Sequence, residues 1–189
     1  MNIGRKTSIL ALALLATMAG ASFAAAALKN ENLLTPIPGG FKIGFQTRND
    51  RENMAEYVPT QESVKDWSRM VTVQIFFGLK NTDPDAFAGA LAKNWLSACA
   101  AGAAQKVTAG AENGYSFSLW MYNCPLNPQT GKPENMWLKA TSGADSLYSV
   151  QYAFRREMSE ELIGPAMGYL KRISVCDTRR ADRPCPDGM

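Results

Sequence analysis

Carboxylates are the side chains with which this chain could do acid–base chemistry, because its 189 residues include no histidine. The lack of histidine excludes Ser-His-Asp and Cys-His nucleophilic sites and the usual zinc hydrolase centres. An enzyme of this sequence would have to use carboxylates, tyrosine or lysine. The candidate acids are Glu62, Asp66, Asp83, Asp85, Glu157, Glu160 and Glu161.

Several of these acids have an ordinary structural interpretation at a helix terminus. Asp83 directly precedes Pro84, a pairing typical of a helix N-cap followed by a first-turn proline. Glu160 and Glu161 fall where the first turn of a later helix is expected, and acidic side chains there complement the helix dipole. We therefore assign no catalytic residue among them.

Glu62 is harder to explain by structure alone. It lies among Tyr57, Trp67 and Met70, in a segment whose periodicity does not account for these large side chains. A carboxylate that accepts bonds from its own loop backbone is nevertheless commoner than a catalytic one. Tyr57, Glu62, Trp67 and Met70 are thus predicted to form a binding surface, together with the turn-rich loop 127–133.

The four cysteines, Cys99, Cys124, Cys176 and Cys185, lack the close spacing of a zinc site or a C-x-x-C redox motif. We expect no metal and no cofactor. In an oxidising compartment an even set of cysteines predicts two disulfides, for which three pairings can be drawn. Cys176 and Cys185 flank a short polar segment with little apolar content to hold it in place. We therefore predict the pairs Cys176–Cys185 and Cys99–Cys124.

The N-terminus has the pattern of a secretory signal peptide. Arg5 and Lys6 precede an apolar run over residues 9–19 and a stretch of small residues. Cleavage is expected after Ala24, with Ala26 nearly as good, so residues 1–24 are assigned to the signal peptide. An uncleaved anchor would need a longer apolar core. The first cysteine, Cys99, is far from the cleavage point, which argues against a lipoprotein.

These features predict a periplasmic or secreted protein. No later apolar run approaches the roughly 20 residues that a membrane span needs, so no stable span is expected. The formal net charge of +3 falls by two when Arg5 and Lys6 are removed. No basic stripe interleaved with aromatic residues occurs, so nucleic acid is not an expected partner. The partner we expect is an envelope protein or a small ligand.

Alternating apolar and polar residues predict the strands. They cover 41–47, 70–77, 115–124, 136–141 and 146–155, with a shorter strand at 106–109. Residues 28–38 are predicted to be a leader and residues 48–53 a loop.

Two helices are predicted beside these strands. The first begins at Asp83 and Pro84 and runs to about residue 101. Phe87, Leu91, Trp95 and Cys99 recur at steps of four along it and should face the sheet. The second begins near Ser159 or Gly164 and runs to about residue 174.

This order of elements predicts an α+β fold, an antiparallel sheet covered by two helices. Residues 28–175 are assigned to a single domain, and residues 176–189 to a C-terminal tail clipped by the second disulfide.

Residues 56–74 carry a recognisable pattern. The motif EYVPxxESVxxWSxMVTVQ, from Glu56 to Gln74, resembles a signature of exported proteins of unknown function from Gram-negative bacteria. The resemblance implies a periplasmic or secreted location and no particular activity. The element order is similar to the Mog1/PsbP-type sandwich, whose members are mostly binding or accessory proteins. A cystatin-like curved sheet, with the long helix across a concave face, is the alternative.

Two functional hypotheses follow. The first is a non-catalytic periplasmic or secreted accessory or binding protein, and it is the one we favour. The alternative is a histidine-free hydrolase or lyase that acts on cell-envelope material and uses Glu62 or Glu157 as general acid or base. The alternative requires a concave site that holds a carboxyl group of raised pKa.

Overall fold

The computed structural model describes residues 28–186. The predicted signal peptide, residues 1–24, and its cleavage site lie outside the described residues. No helix within 28–186 is long and apolar enough to cross a membrane. In chain order the elements of this part are β1 (Glu31–Leu34), β2 (Phe41–Arg48), β3 (Glu52–Pro59), β4 (Arg69–Phe77), α1 (Pro84–Ala98), β5 (Ala103–Glu112), β6 (Tyr115–Asn127), β7 (Lys132–Ser142), β8 (Ser146–Phe154), α2 (Glu160–Leu170) and β9 (Ser174–Asp177).

A seven-stranded antiparallel sheet forms the centre of the molecule, with strand order β2-β3-β4-β8-β7-β6-β5. The predicted α+β class is confirmed. Helix α1 covers one face of the sheet and α2 covers the other. Successive residues of β7 therefore point into two different hydrophobic cores. Leu138 packs with α1, whereas its neighbour Trp137 packs with α2. This two-sided covering is that of a sandwich and not that of the cystatin-like alternative.

Helix α1 begins as the sequence predicts. Asp83 is its N-cap and accepts a hydrogen bond from the Asp85 backbone N–H at 2.9 Å. The predicted apolar stripe lies on the sheet side, but the closest packing comes from two small residues. Ala88 and Ala92 are buried, and the larger side chains of the stripe flank them. Small residues at these positions bring the helix close to the sheet.

Helix α2 covers the opposite face and ends earlier than the sequence predicts. It begins after Ser159 and buries Ala166, Tyr169 and Leu170 against the sheet. The expected continuation to residue 174 is wrong, because Ser174 already belongs to strand β9. That strand pairs with β1 in a small second sheet, so residues 31–34 of the predicted leader are part of a strand.

Strand β3 was not expected from the sequence. The predicted loop at 48–53 is shorter in the structure, because β2 extends to Arg48 and β3 begins at Glu52. Strand β3 lies between β2 and β4 and carries the start of the Glu56–Gln74 motif.

Both predicted disulfides are present. Cys99, immediately after α1, bonds to Cys124 in β6 with a Cα–Cα distance of 5.9 Å. Cys176 in β9 bonds to Cys185 with a Cα–Cα distance of 4.9 Å. The first bridge ties α1 to the sheet, and the second closes the segment after β9.

Candidate functional site

The structure divides the predicted binding surface between the two faces of the sheet. Met70 packs with Trp67 and Val58 on the face that α1 covers. Tyr57 precedes Val58 on β3 and packs on the opposite face, against the core around α2. Trp67 and Met70 are therefore together, whereas Tyr57 is separated from them by the sheet.

Glu62 lies in the loop between β3 and β4 and braces it. Its Oε2 accepts a hydrogen bond from the Ser68 backbone N–H at 2.5 Å, and its Oε1 accepts one from Ser68 Oγ at 2.7 Å. Desolvation acts to raise the pKa of Glu62. The two bonds from Ser68 and the charge of Arg69 outweigh it, so the pKa is lowered. Glu62 therefore lacks the raised pKa that the enzyme hypothesis needs.

A glycine lets this loop fold back onto the edge of the sheet. Gly44 lies at a register shift between β2 and β3, and a Cβ at this position would stand 2.8 Å from Val64 Cγ1. Val64 packs against the cluster that contains Trp67. The close approach at Gly44 thus helps to seat Trp67 beside the sheet.

Arg155, the residue after β8, stacks its guanidinium on the indole of Trp67. Its guanidinium carbon lies 4.0 Å from the centroid of the Trp67 ring. Arg155 Nε is 3.6 Å from Glu134 Oε2 in an ion pair, and the same oxygen accepts a bond from Asn127 Nδ2 at 3.0 Å. The loop 127–133 is thereby placed beside Trp67.

Trp67 contributes to the walls of two neighbouring cavities. The first, which we name the polar cavity, has a volume of about 310 Å³. Lys132 Nζ is 3.2 Å from Asp66 Oδ1 at its rim. The guanidinium of Arg156 is exposed and makes no hydrogen bond or ion pair with residues 28–186. The polar cavity is lined by Glu62, Asp66, Trp67, Ser68, Lys132, Arg155 and Arg156.

The second, which we name the apolar cavity, has a volume of about 320 Å³ and lies between the sheet and α1. It is lined by Glu56, Val64, Trp67, Met70, Thr72, Leu91, Trp95, Glu134, Met136, Gln151 and Ala153. Trp95 is held in place because its Nε1 donates to the carbonyl of Asn123 at 3.0 Å. The two cavities therefore differ in character although they share Trp67.

Glu56 is the functional candidate that sequence reasoning missed. Burial raises the pKa of its carboxyl group above the ordinary value of 4.5. Within residues 28–186 we find no hydrogen bond or ion pair to this carboxylate. The signal that could have found it is the alternation of β3, which places Glu56 on the same face as Val58 and opposite to Tyr57.

The other candidate acids are either bonded to neighbouring side chains or exposed outside the two cavities. Asp85 accepts bonds from Lys106, Ser118 and Trp120, and these three, Lys106 first, lower its pKa despite some desolvation. Glu157, Glu160 and Glu161 follow the last strand of the large sheet, and Glu157 is exposed. In the described part of the chain no three Asp, Glu, Cys or His side chains are grouped so as to hold a metal ion.

Comparison with known proteins identifies structures but no family. No family model matches the chain, and no curated protein matches its sequence. A mutant of the protein Mog1 aligns at 11% identity with a TM-score of 0.47, covering 78% of this chain and 92% of its own. The Ran-binding protein Mog1p of Saccharomyces cerevisiae aligns at 9% identity with a TM-score of 0.46, covering 80% and 98% respectively.

Proposed function

We propose that this is an exported, non-catalytic binding protein that engages its ligand at the two cavities beside Trp67. The observation that carries the proposal is that the two cavities share Trp67 as a lining residue. Trp67 lines both a polar cavity with an exposed arginine and an apolar cavity with a half-buried carboxylate. Concave sites with an apolar body and a few placed polar groups are typical of ligand binding.

The hydrogen bonds of Glu62 support a role in shaping a binding loop more than a role in catalysis. Both oxygens of Glu62 accept bonds from Ser68, and the backbone N–H of Arg155 donates to the Ser68 carbonyl at 3.0 Å. These bonds tie the loop to the end of β8. A rigid loop holds Trp67 in one orientation, which lowers the entropic cost of binding.

Export is supported by the two disulfides and by the signal-peptide pattern at residues 1–24. Its test is to express the full chain in a Gram-negative host and fractionate the cells. We expect a mature chain that begins at residue 25 or 27, in the periplasm or the medium, with its four cysteines oxidised. A cytoplasmic chain with an intact N-terminus would contradict export.

Binding itself is tested with the purified, oxidised protein and a panel of soluble envelope fragments: muropeptides, short peptides, oligosaccharides and lipid headgroups. We expect chemical-shift changes in ¹H–¹⁵N spectra at the residues of the two cavities, and unchanged ligand in mass spectra after long incubation. Arg156→Ala should weaken ligands that reach the polar cavity. Arg51→Ala, an exposed arginine at the turn between β2 and β3, is the matched control.

The second candidate is the histidine-free hydrolase or lyase, and one observation favours it. Glu56 is a carboxyl group with a raised pKa that lines a cavity, which is the environment that a general acid needs. Conversion of a panel member by the wild-type protein, abolished in Glu56→Gln and kept in Glu62→Gln, would establish this candidate and overturn the non-catalytic one.

A further inference from the structure

We propose that the apolar cavity binds the ammonium group of a small aliphatic amine, with Glu56 as its counter-ion. The inference rests on the proposed binding function and adds the class of ligand. Three observations support it: the charges of the cavity wall, the lack of a bonding partner for the Glu56 carboxylate within residues 28–186, and the aromatic and apolar side chains around it.

The ionisable groups of the cavity wall are all acidic. Glu56 and Glu134 line it, and no lysine or arginine is among its lining residues in the described part of the chain. Glu134 is already engaged, since it pairs with Arg155 and accepts a bond from Asn127. Glu56 is the carboxylate whose charge is left uncompensated.

An uncompensated carboxylate in a partly desolvated place gains from an incoming cation. Glu56 has lost part of its hydration to the neighbouring apolar side chains, and no group in residues 28–186 donates to it in return. A cation that enters the cavity supplies the missing partner, and the low local polarity strengthens their attraction. An anion meets two carboxylates and is repelled.

The remaining wall suits an organic cation better than a metal ion. Trp67 and Trp95 offer aromatic surfaces, which attract ammonium groups, and Met70, Met136 and Leu91 offer apolar surface for an alkyl chain. A calcium or magnesium ion needs about six oxygen ligands, whereas most of this wall carries none. A cavity of about 320 Å³ is of the size that encloses small ligands.

The polar cavity, which also has Trp67 in its wall, limits how far such a ligand extends. Its lining carries three cations, Arg155, Arg156 and Lys132, against the two carboxylates of Glu62 and Asp66. Lys132 pairs with Asp66, and Ser68 donates to both oxygens of Glu62, so a second ammonium group would meet the exposed Arg156 and no open carboxylate. A monoamine with an apolar chain therefore fits the pair of cavities better than a long polyamine does.

The experiment titrates the ¹⁵N-labelled, oxidised protein with three probes of equal chain length: hexylammonium, hexanol and hexanoate. Hexylammonium should bind at least about tenfold more tightly than hexanol, with shift changes at the residues of the apolar cavity. Glu56→Gln should reduce this preference to within about twofold. Glu52→Gln is the matched control, because it removes a carboxylate from the same strand and the same face about 13 Å away, at 3.3 Å per residue.

Equal binding of hexylammonium and hexanol by the wild-type protein would overturn the inference, and so would tighter binding of hexanoate. Either result would still show a ligand in the cavity and would leave the proposed binding function standing. Absence of any shift change would overturn the amine inference, whereas the fragment panel decides the binding function separately. A lysine-containing tetrapeptide that binds more than tenfold tighter than hexylammonium would assign the cavity to a protein's lysine side chain instead.

Discussion

Glu62 and Ser68 close a loop on itself, because both carboxylate oxygens of Glu62 accept bonds from the backbone N–H and the hydroxyl of Ser68, at 2.5 and 2.7 Å. The closed segment carries Trp67 one residue before its end. The carboxylate that looked most available for chemistry in the sequence is thus used to position an aromatic side chain.

Glu62→Gln should lower the stability of the protein by about 1 kcal/mol, since an amide replaces a charged acceptor of two hydrogen bonds at a partly exposed site. The pKa of Glu62 is lowered in the folded state, so its contribution is present above pH 4.5 and is lost as the pH falls through the folded value. The gap between variant and wild type should therefore shrink in acid. Urea unfolding at pH 7 and at successively lower pH measures it.

The control for this prediction is Asp66→Asn in the same loop. Asp66 pairs with Lys132 while both side chains are largely exposed, so its loss should change the stability by less than about 0.5 kcal/mol. Equal effects of the two substitutions would argue that Glu62 does not brace the loop.

Glu56→Gln should raise the stability at neutral pH. Burial raises the folded pKa of Glu56, so its stabilising contribution is complete below pH 4.5 and is lost as the pH rises through the folded value. Glutamine carries no charge that burial would desolvate, so the variant does not lose this stability as the pH rises. Glu134, which lines the same cavity, and its ion-pair partner Arg155 are unchanged in the variant.

Thermal unfolding between pH 4 and pH 8 tests the Glu56 prediction. The midpoint of Glu56→Gln should exceed that of the wild type near neutrality, with a difference that diminishes in acid. Glu52→Gln, whose wild-type carboxylate accepts a bond from Gln74 Nε2 at 2.8 Å, should not be stabilised. A destabilised Glu56→Gln protein would mean that the carboxylate has a partner.

The two disulfides should contribute unequally. In the loop-entropy description, the Cys99–Cys124 bridge, with a separation of 25 residues, contributes about 3.5 kcal/mol. The Cys176–Cys185 bridge, with a separation of 9, contributes about 2.6 kcal/mol. Paired Cys→Ser variants, compared by guanidinium unfolding, should lose stability in that order, and the reverse order would show that native contacts outweigh loop closure.

Lys139→Met should cost about 3 kcal/mol, because the buried ammonium group donates to the carbonyls of Ile173 and Leu170. Methionine would leave the Ile173 carbonyl without this donor, whereas the Leu170 carbonyl keeps the bond from the Ile173 backbone N–H at 3.2 Å. Lys139 Nζ also pairs with Glu112 Oε2 at 2.5 Å. Lys42→Met, an exposed lysine on β2, is the control and should be nearly neutral. Urea unfolding of both variants measures the difference, and a neutral Lys139→Met would show that water replaces the ammonium group.

The elements that the sequence predicts well have strong local patterns. Strand β4 alternates from Arg69 to Phe77, and α1 opens with the Asp83–Pro84 pair. The disulfide pairing also follows from local reasoning, because Cys176 and Cys185 enclose a segment that cannot bury itself. The strand and the helix cap are decided within a few residues of the pattern, and the Cys176–Cys185 bridge spans a separation of 9 residues.

The features that escaped prediction depend on distant partners. Strand β3 carries polar residues on both faces, such as Asn53 and Glu56, so no alternation of apolar and polar residues marks it as a strand in the sequence. The cavity beside Glu56 is formed by Trp95 and Met136, which come from α1 and β7. Trp67 and Met70 were predicted together because they are neighbours in the chain. Tyr57 could be assigned to the other face only once β3 was known.

The pairing of β1 with β9 also has a consequence for the order of folding. Asn30 N donates to Thr178 Oγ1 across 148 positions of the chain, at the end of this ladder. Closing a flexible loop of that length costs about 4 kcal/mol of chain entropy, more than a few backbone bonds repay. The small sheet can therefore close only after the large sheet has brought its strands near each other, and it should be the last part of the molecule to gain protection from hydrogen exchange.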